Sequence, residues 1–374
     1  MTIAALALAT SCGKSDTPTA ASGPVDVRLV VSSGDNTRVG SDKTDNDIRQ
    51  LRVYAFNADG EKVGYAEADN LQGQNYIPIT LSEGGDINFY VIANDNFGPK
   101  PTVDAAQVTD WASLSKANLE SLKFDLSEFG GWSATDDFVS PMSNNRYDEF
   151  GNDLKNDSGT AAYENDYDYG TAVKVTKPET GTLVIPVTVQ HVLGRLRLML
   201  NKDASAEDVT IKVTKAVVYH RPDAFKLYFA ENEKNQIDDI ITFTNNAESP
   251  LKEQLIVDTK PLVDKPDDGY TTIARTYLAP NQYGSSDPDT YTAQKTDGTT
   301  SSNGLNEAYR LDLTVEFAYS TDTLETNYTV YLPRVPRNTS IDVQGTFKGT
   351  VVKPEFNVMT EAWVGKVMDI PPFK

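Results

Sequence analysis

The chain of 374 residues carries 34 Lys and Arg against 54 Asp and Glu, a formal net charge of −20. Such a surface repels nucleic acid and anionic membranes, so no nucleic-acid partner is expected. A single cysteine excludes an intramolecular disulfide and a multi-cysteine metal site, and two histidines, His191 and His220, leave little imidazole for catalysis.

"MTIAALALA" at the start is too short to span a bilayer as a mature helix and sits where a signal-peptide core would sit. It lacks the basic segment that normally precedes such a core, so residues 1–11 read as a signal peptide that is truncated or begins further upstream. "LATSC" places small residues just before Cys12, the pattern of a lipobox, which would make Cys12 the lipidated first residue of a bacterial lipoprotein. The plainer alternative is a buried structural cysteine. Residues 13–24, poor in large apolar side chains and carrying two prolines, read as a flexible tether.

"VDVRLVVSS" then alternates, with Val25, Val27, Leu29 and Val31 on one face, the mark of a half-buried strand. A polar loop over 33–47 follows and contains Arg38. "IRQLRVYAFNADGEKVGYAEA" reads as two strands joined by the Asp59-Gly60 turn, and "QNYIPITL" and "INFYVIAND" add two more. One helix is expected over 109–123, capped by Thr109 or Asp110, with Trp111, Leu114, Leu119 and Leu122 on one side. Periodicity is lost from about 128 to 180, which reads as long surface loops leading to a domain boundary near 180. A second strand-rich block runs from "GTLVIPVTVQHVLGRLRLMLN" to "IDVQGTFKGTVV", broken by a Gly-, Ser- and Asp-rich loop at 281–306. Within that block "LDLTVEFAY" alternates almost perfectly. The fold class is therefore all-β: two β-sandwiches in tandem, with one short helix and long loops.

Little in the chain looks built for a reaction. His191 lies in a strand that reads as core, and His220 ends another; both read as structural or surface residues. With 54 acidic residues, a carboxylate pair is no evidence of glycoside hydrolysis. "NDYDYG" begins like a calcium loop, but the twelfth position from Asp166 is Lys177 where a bidentate acid belongs. Tyr163, Tyr167 and Tyr169 could stack on a sugar, though tyrosines packed down on the sandwich are the simpler reading. There is no GxGxxG, P-loop or HExxH motif, so the chain does not read as an enzyme, and no cofactor or metal is expected.

At "DNDIRQLRVYAFNADGEKVGY", "INFYVIAND" and "FVSPMSNN", and again at "VLGRLRLML", the chain resembles the fimbrillin-type (type V) major fimbrial subunits of Bacteroidales, pilins exported as lipoproteins. The resemblance is diffuse over nearly the whole length and strongest at 45–100 and 138–200. It implies two transthyretin-like sandwiches, here 39–180 and 181–374, preceded by a lipidated tether and first strand over 12–38. It further implies proteolysis after an arginine in the loop following the first strand, and loss of that strand. A neighbouring subunit's extended segment would then fill the groove, which is donor-strand exchange.

By position, Arg38 is the implied processing site and 25–32 the strand to be lost; Arg49, at the edge of the next strand, is a poorer choice. Residues 13–38 hold three bases (Lys14, Arg28, Arg38) and three acids (Asp16, Asp26, Asp35), so their loss leaves the net charge unchanged. The resemblance places the donor at the C-terminus, where Phe356, Val358, Ala362, Val364, Met368 and Ile370 alternate before Pro371 and Pro372. The same residues could instead form the last strand of their own sandwich.

The implied partners are identical subunits and related minor fimbrial subunits, an outer-membrane lipid anchor in the precursor, and a host or bacterial surface receptor. The implied location is the outer membrane and the cell-surface fimbria. Two other roles stay open: a non-polymerising surface lipoprotein that binds glycans through the 128–180 and 281–306 loops, or the anchor of a fimbria.

Overall fold

The computed structural model describes residues 23–33, 48–71, 74, 76–95, 102–103, 106–125, 140–145, 173–221, 224–228, 252–266, 269–281, 284–285, 293–294, 308–352 and 354–362. Cys12, Arg38, Tyr163, Tyr167, Tyr169, Val364, Met368 and Ile370 lie outside the described residues.

The N-terminal part is built from β1 (Val25–Ser33), β2 (Leu51–Phe56), β3 (Lys62–Ala68), β4 (Tyr76–Leu81), β5 (Gly85–Ala93) and β6 (Leu183–His191). Pairing runs β3-β2-β5, through the two-residue strand Met142–Ser143, to β6-β1-β4, while Val173–Val175 adds to β5. That two-residue strand contacts β5 on one side and β6 on the other, so the sheet bends there and curls into two layers. The curl brings β3 against β4 so closely that a Cβ on Gly64 would lie 2.7 Å from Leu81 Cδ2. The β2–β3 hairpin closes where expected, with the Asn57 side chain accepting from the Asp59 and Glu61 amides at 3.1 and 2.9 Å. Inside the curl lies one apolar core, to which β1, β2, β4, β5 and β6 all contribute.

Leu183–His191, although it follows residue 180, pairs along β1, and Ile185, Val187 and Val189 enter the first core. Local alternation announces a strand but not which sheet it joins. The stretch read as loop also contains the strands at Met142–Ser143 and Val173–Val175.

The C-terminal part contains β7 (Gly194–Lys202), β8 (Thr210–Arg221), β9 (Lys252–Pro261), β10 (Thr272–Leu278), β11 (Arg310–Ala318), β12 (Thr323–Tyr331), β13 (Thr339–Phe347) and β14 (Phe356–Ala362). They form two four-stranded sheets, β10-β7-β13-β14 and β9-β8-β11-β12, over a second core. The alternation of β11 is realised residue by residue: Leu311, Leu313, Val315 and Phe317 are buried and their neighbours half-exposed.

A third, aromatic core joins the two sandwiches. Tyr54 and Phe56 of β2 and Tyr90 and Ile92 of β5 turn away from the first core and pack with Leu119, Phe124, Val192, Phe225, Tyr228 and Tyr277. This is why β2 is buried at every position instead of alternating. The helix expected over 109–123 is two pieces: a 3₁₀ turn at Trp111–Ser113, capped by Asp110, and α1 at Lys116–Ser121. Ser115 restarts the chain, its hydroxyl accepting from the Asn118 amide while the Asn118 side chain accepts from the Ser115 amide. Leu114, Leu119 and Leu122 are buried as the spacing required, and all three face the third core.

Candidate functional site

The feature that stands out is the position of β1. It lies between two strands, antiparallel to β4 from Val25↔Leu81 to Val30↔Tyr76 and parallel to β6 from Val27↔Leu183 to Ser33↔Val189. Its inward face is Val25, Val27, Leu29 and Val31, none more than 1% exposed. These four side chains fill sockets walled by Ile77, Ile79 and Leu81 of β4 and by Ile185, Val187 and Val189 of β6. On the outer face Thr80 donates to the Asp26 carboxylate at 2.8 Å, and the Arg28 guanidinium lies 4.8 Å from the Tyr76 ring centre.

Taking β1 away would therefore unpair two strand edges at once and open the core between them. The four side chains bury about 6–12 kcal/mol of apolar transfer energy at roughly 1.5–3 kcal/mol each. Each net ladder hydrogen bond adds about 0.5–1.5 kcal/mol. A chain break after Ser33 would by itself remove none of these contacts.

The C-terminal strand is placed differently. β14 is an edge strand, paired only to β13 among the described residues, from Thr339↔Ala362 to Gly345↔Phe356. Its anchor is Phe356, whose ring covers Gly345: a Cβ there would meet Phe356 Cδ1 and Cε1 at 3.0 Å. Phe347 and Tyr328 surround the same ring at centroid distances of 6.3 and 6.4 Å. Val358, opposite Val343, is half-buried against the second core. Of the six residues singled out as a donor strand, Phe356, Val358 and Ala362 thus sit in their own sandwich in this structure.

A polar connection runs from the segment before β13 to the end of β6. Arg337, just before β13, is buried; its Nε donates to the His191 carbonyl at 3.3 Å, and its Nη2 donates to the Gln190 carbonyl at 3.3 Å and to Ser143 Oγ at 3.4 Å. It fastens the end of β6 to the second sandwich. Burial, together with the charges of Arg195 and Arg337, pushes the His191 imidazole well below its ordinary range, so it stays neutral in the core. His220 has φ 65°, approaches the Ala308 carbonyl through Nδ1 at 2.8 Å, and is likewise shifted down by burial. Among the described residues no group of three His, Cys, Asp or Glu side chains could hold a metal ion.

Alternation along 25–31 marked the inward face of β1 correctly. What sequence reasoning missed is the strands that flank it, β4 and β6, and elsewhere the Gly345 socket under Phe356 of β14 and the Arg337 fastening of β6. Only the isolated glycine inside "IDVQGTF" offered a signal, since a glycine within a strand often marks close approach of another group.

Comparison with known proteins bears on the same region. Residues 25–182 match the family model "Major fimbrial subunit protein (FimA)", a span that opens at the first residue of β1. A proposed cell adhesion protein of Bacteroides eggerthii aligns over 93% of this chain and 98% of its own at 14% identity, with a TM-score of 0.51. A fimbrilin of Porphyromonas gingivalis aligns over 92% of this chain and 99% of its own at 13% identity and TM-score 0.49. The tip fimbrial protein Mfa3 of the same organism, with a C-terminal truncation, aligns over 90% and 100% at 13% identity and TM-score 0.46. No curated protein matches. The resemblance to the fimbrillin-type subunits is borne out over 25–182 by the family match, and the described residues are nearly all β.

Proposed function

We propose that this protein is a structural subunit of a cell-surface fimbria, contributing to adhesion and held inactive by its own first strand. The observation that carries the reading is that β1 is buried between β4 and β6 at the N-terminal limit of the fimbrial-subunit match. In this account the precursor is lipidated at Cys12 and carried to the outer membrane. Proteolysis after Arg38 cuts β1 from the body, and a neighbouring subunit supplies a replacement strand with apolar residues at every second position. Identical subunits and related minor subunits then assemble through that exchange, and the mature body has no catalytic role.

The donor is the segment from Phe356 to Ile370. Its first part occupies the β14 edge, so donation either begins beyond Ala362 or requires Phe356 to leave the Gly345 socket. An edge strand with one ladder is the cheaper of the two strands to release, which fits a segment that changes partner. β1, with two ladders, fits a lock.

Limited trypsin digestion of the unlipidated precursor, followed by intact mass and size-exclusion chromatography, tests the reading. Cleavage after Arg38 followed by oligomers is the expected result. A resistant Arg38 loop, or a clipped chain that stays monomeric with β1 retained in the presence of excess subunit, would overturn it.

A further inference from the structure

The two ladders that hold β1 are out of step. β4 pairs with Val25 through Val30, whereas β6 pairs with Val27 through Ser33. Among the described residues only Val27–Val30 is gripped from both sides. Val25 and Asp26 are held by β4 alone, and Val31, Ser32 and Ser33 by β6 alone among the described residues. The side chains differ in the same sense. Near the first end Asp26 is bonded to Thr80, and Arg28 stacks on Tyr76, both on β4. At the second end Val31 is the last apolar anchor, followed by two serines.

A cut in the loop after β1 frees only the second end, because the first remains continuous with the tether. Resting on the strand-exchange reading above, we infer that β1 is displaced in one direction, peeling from Ser33 towards Val25. The incoming strand makes its first contacts on the vacated ladder of β6 beside Val187 and Val189. Opening a one-sided ladder sacrifices half the hydrogen bonds per residue of a two-sided one. Exchange can then advance one socket at a time, instead of requiring all four sockets to stand empty. The side chain that fills the Val31 socket thus governs how fast exchange starts. The one in the Val25 socket, against Leu81, is seated last and governs how long the occupant stays.

The test uses the full chain nicked between residues 34 and 47, at Arg38 or at a protease site introduced there, so that failure of Arg38 processing leaves it intact. Fluorescent peptides copying residues 24–33 are offered in three forms: unchanged, Val31→Ala and Val25→Ala. Because only the peptide varies, folding of the chain is untouched. Val31→Ala should enter about tenfold more slowly, the worth of roughly two methylenes. Val25→Ala should enter within about twofold of the unchanged peptide yet dissociate about tenfold faster. Equal slowing by both peptides, or the reverse order, overturns the direction of peeling while leaving exchange itself standing. If no peptide enters a nicked chain that keeps its β-sheet circular dichroism, the exchange reading itself fails.

Discussion

Gly345→Ala tests whether the C-terminal strand is held by a single aromatic anchor. The new Cβ would lie 3.0 Å from two carbons of the Phe356 ring and 3.2 Å from Leu200 Cδ2, so the ring or the leucine must give by a few tenths of an ångström. Two responses are open to the chain. If Phe356 stays, the overpacked site costs about 1–3 kcal/mol. If the ring leaves, its burial is lost, roughly 1.5–3 kcal/mol, and an edge strand with one ladder has little else to hold it. The alanine recovers up to about 1 kcal/mol because it lowers the backbone entropy lost on folding. The net expectation is a loss of about 1–2 kcal/mol in urea unfolding, with the response confined to β14. Hydrogen exchange followed by mass spectrometry should show protection falling over 356–362 while β1 and β6 keep theirs. Unchanged protection over 356–362, or equal loss across both sandwiches, would refute the single-anchor reasoning.

Three further outcomes follow from the same geometry. Leu29→Ala should destabilise the intact chain by about 3 kcal/mol, as large-to-small changes in a closed core do, whereas Arg28→Ala, on the outer face, should cost under about 1 kcal/mol. Equal effects in urea titration would remove β1 from the core. Arg337→Ala should cost about 2–3 kcal/mol by leaving the Gln190 and His191 carbonyls without their charged donor, and Arg337→Lys should restore little, since an ammonium cannot reproduce the planar fork. Full rescue by lysine would contradict the fastening. His191 stays neutral when folded but takes up a proton when unfolded below its ordinary value of 6.5, so its contribution is present above that value and lost as pH falls. Stability should decline between pH 6.5 and 5, at a limiting slope near 1.4 kcal/mol per pH unit for each buried histidine. His191→Gln should flatten that decline, and an unchanged slope would show that His191 is not its source.

Much of the fold was written in local patterns. Alternation in "VDVRLVV" and "LDLTVEFAY" marked strands and their inward faces, because a period of two is a property of the strand itself. Which strands pair is not local. Nothing near "LVIPVTVQH" says that it runs beside Val25–Ser33, about 150 residues earlier in the chain. The unbroken burial of "LRVYAF" reflects a third core assembled from both halves of the chain, which no single window contains. The split helix was missed because its second cap pairs Ser115 with Asn118 in place of the usual Glu or Gln. The site was therefore half legible: the inward face of β1 could be read, but the strands that flank it could not.

The central claim, that β1 must leave before subunits join, is tested most directly by preventing it from leaving. Asp26 and Thr80 are register partners across β1 and β4 with touching side chains on the outer face, so Asp26→Cys with Thr80→Cys places two thiols in bonding range. Made in a chain carrying Cys12→Ser and cut in the 34–47 loop, the oxidised protein should remain monomeric by size exclusion, and reduction should release assembly. Assembly of the cut chain while the disulfide is intact would contradict the account.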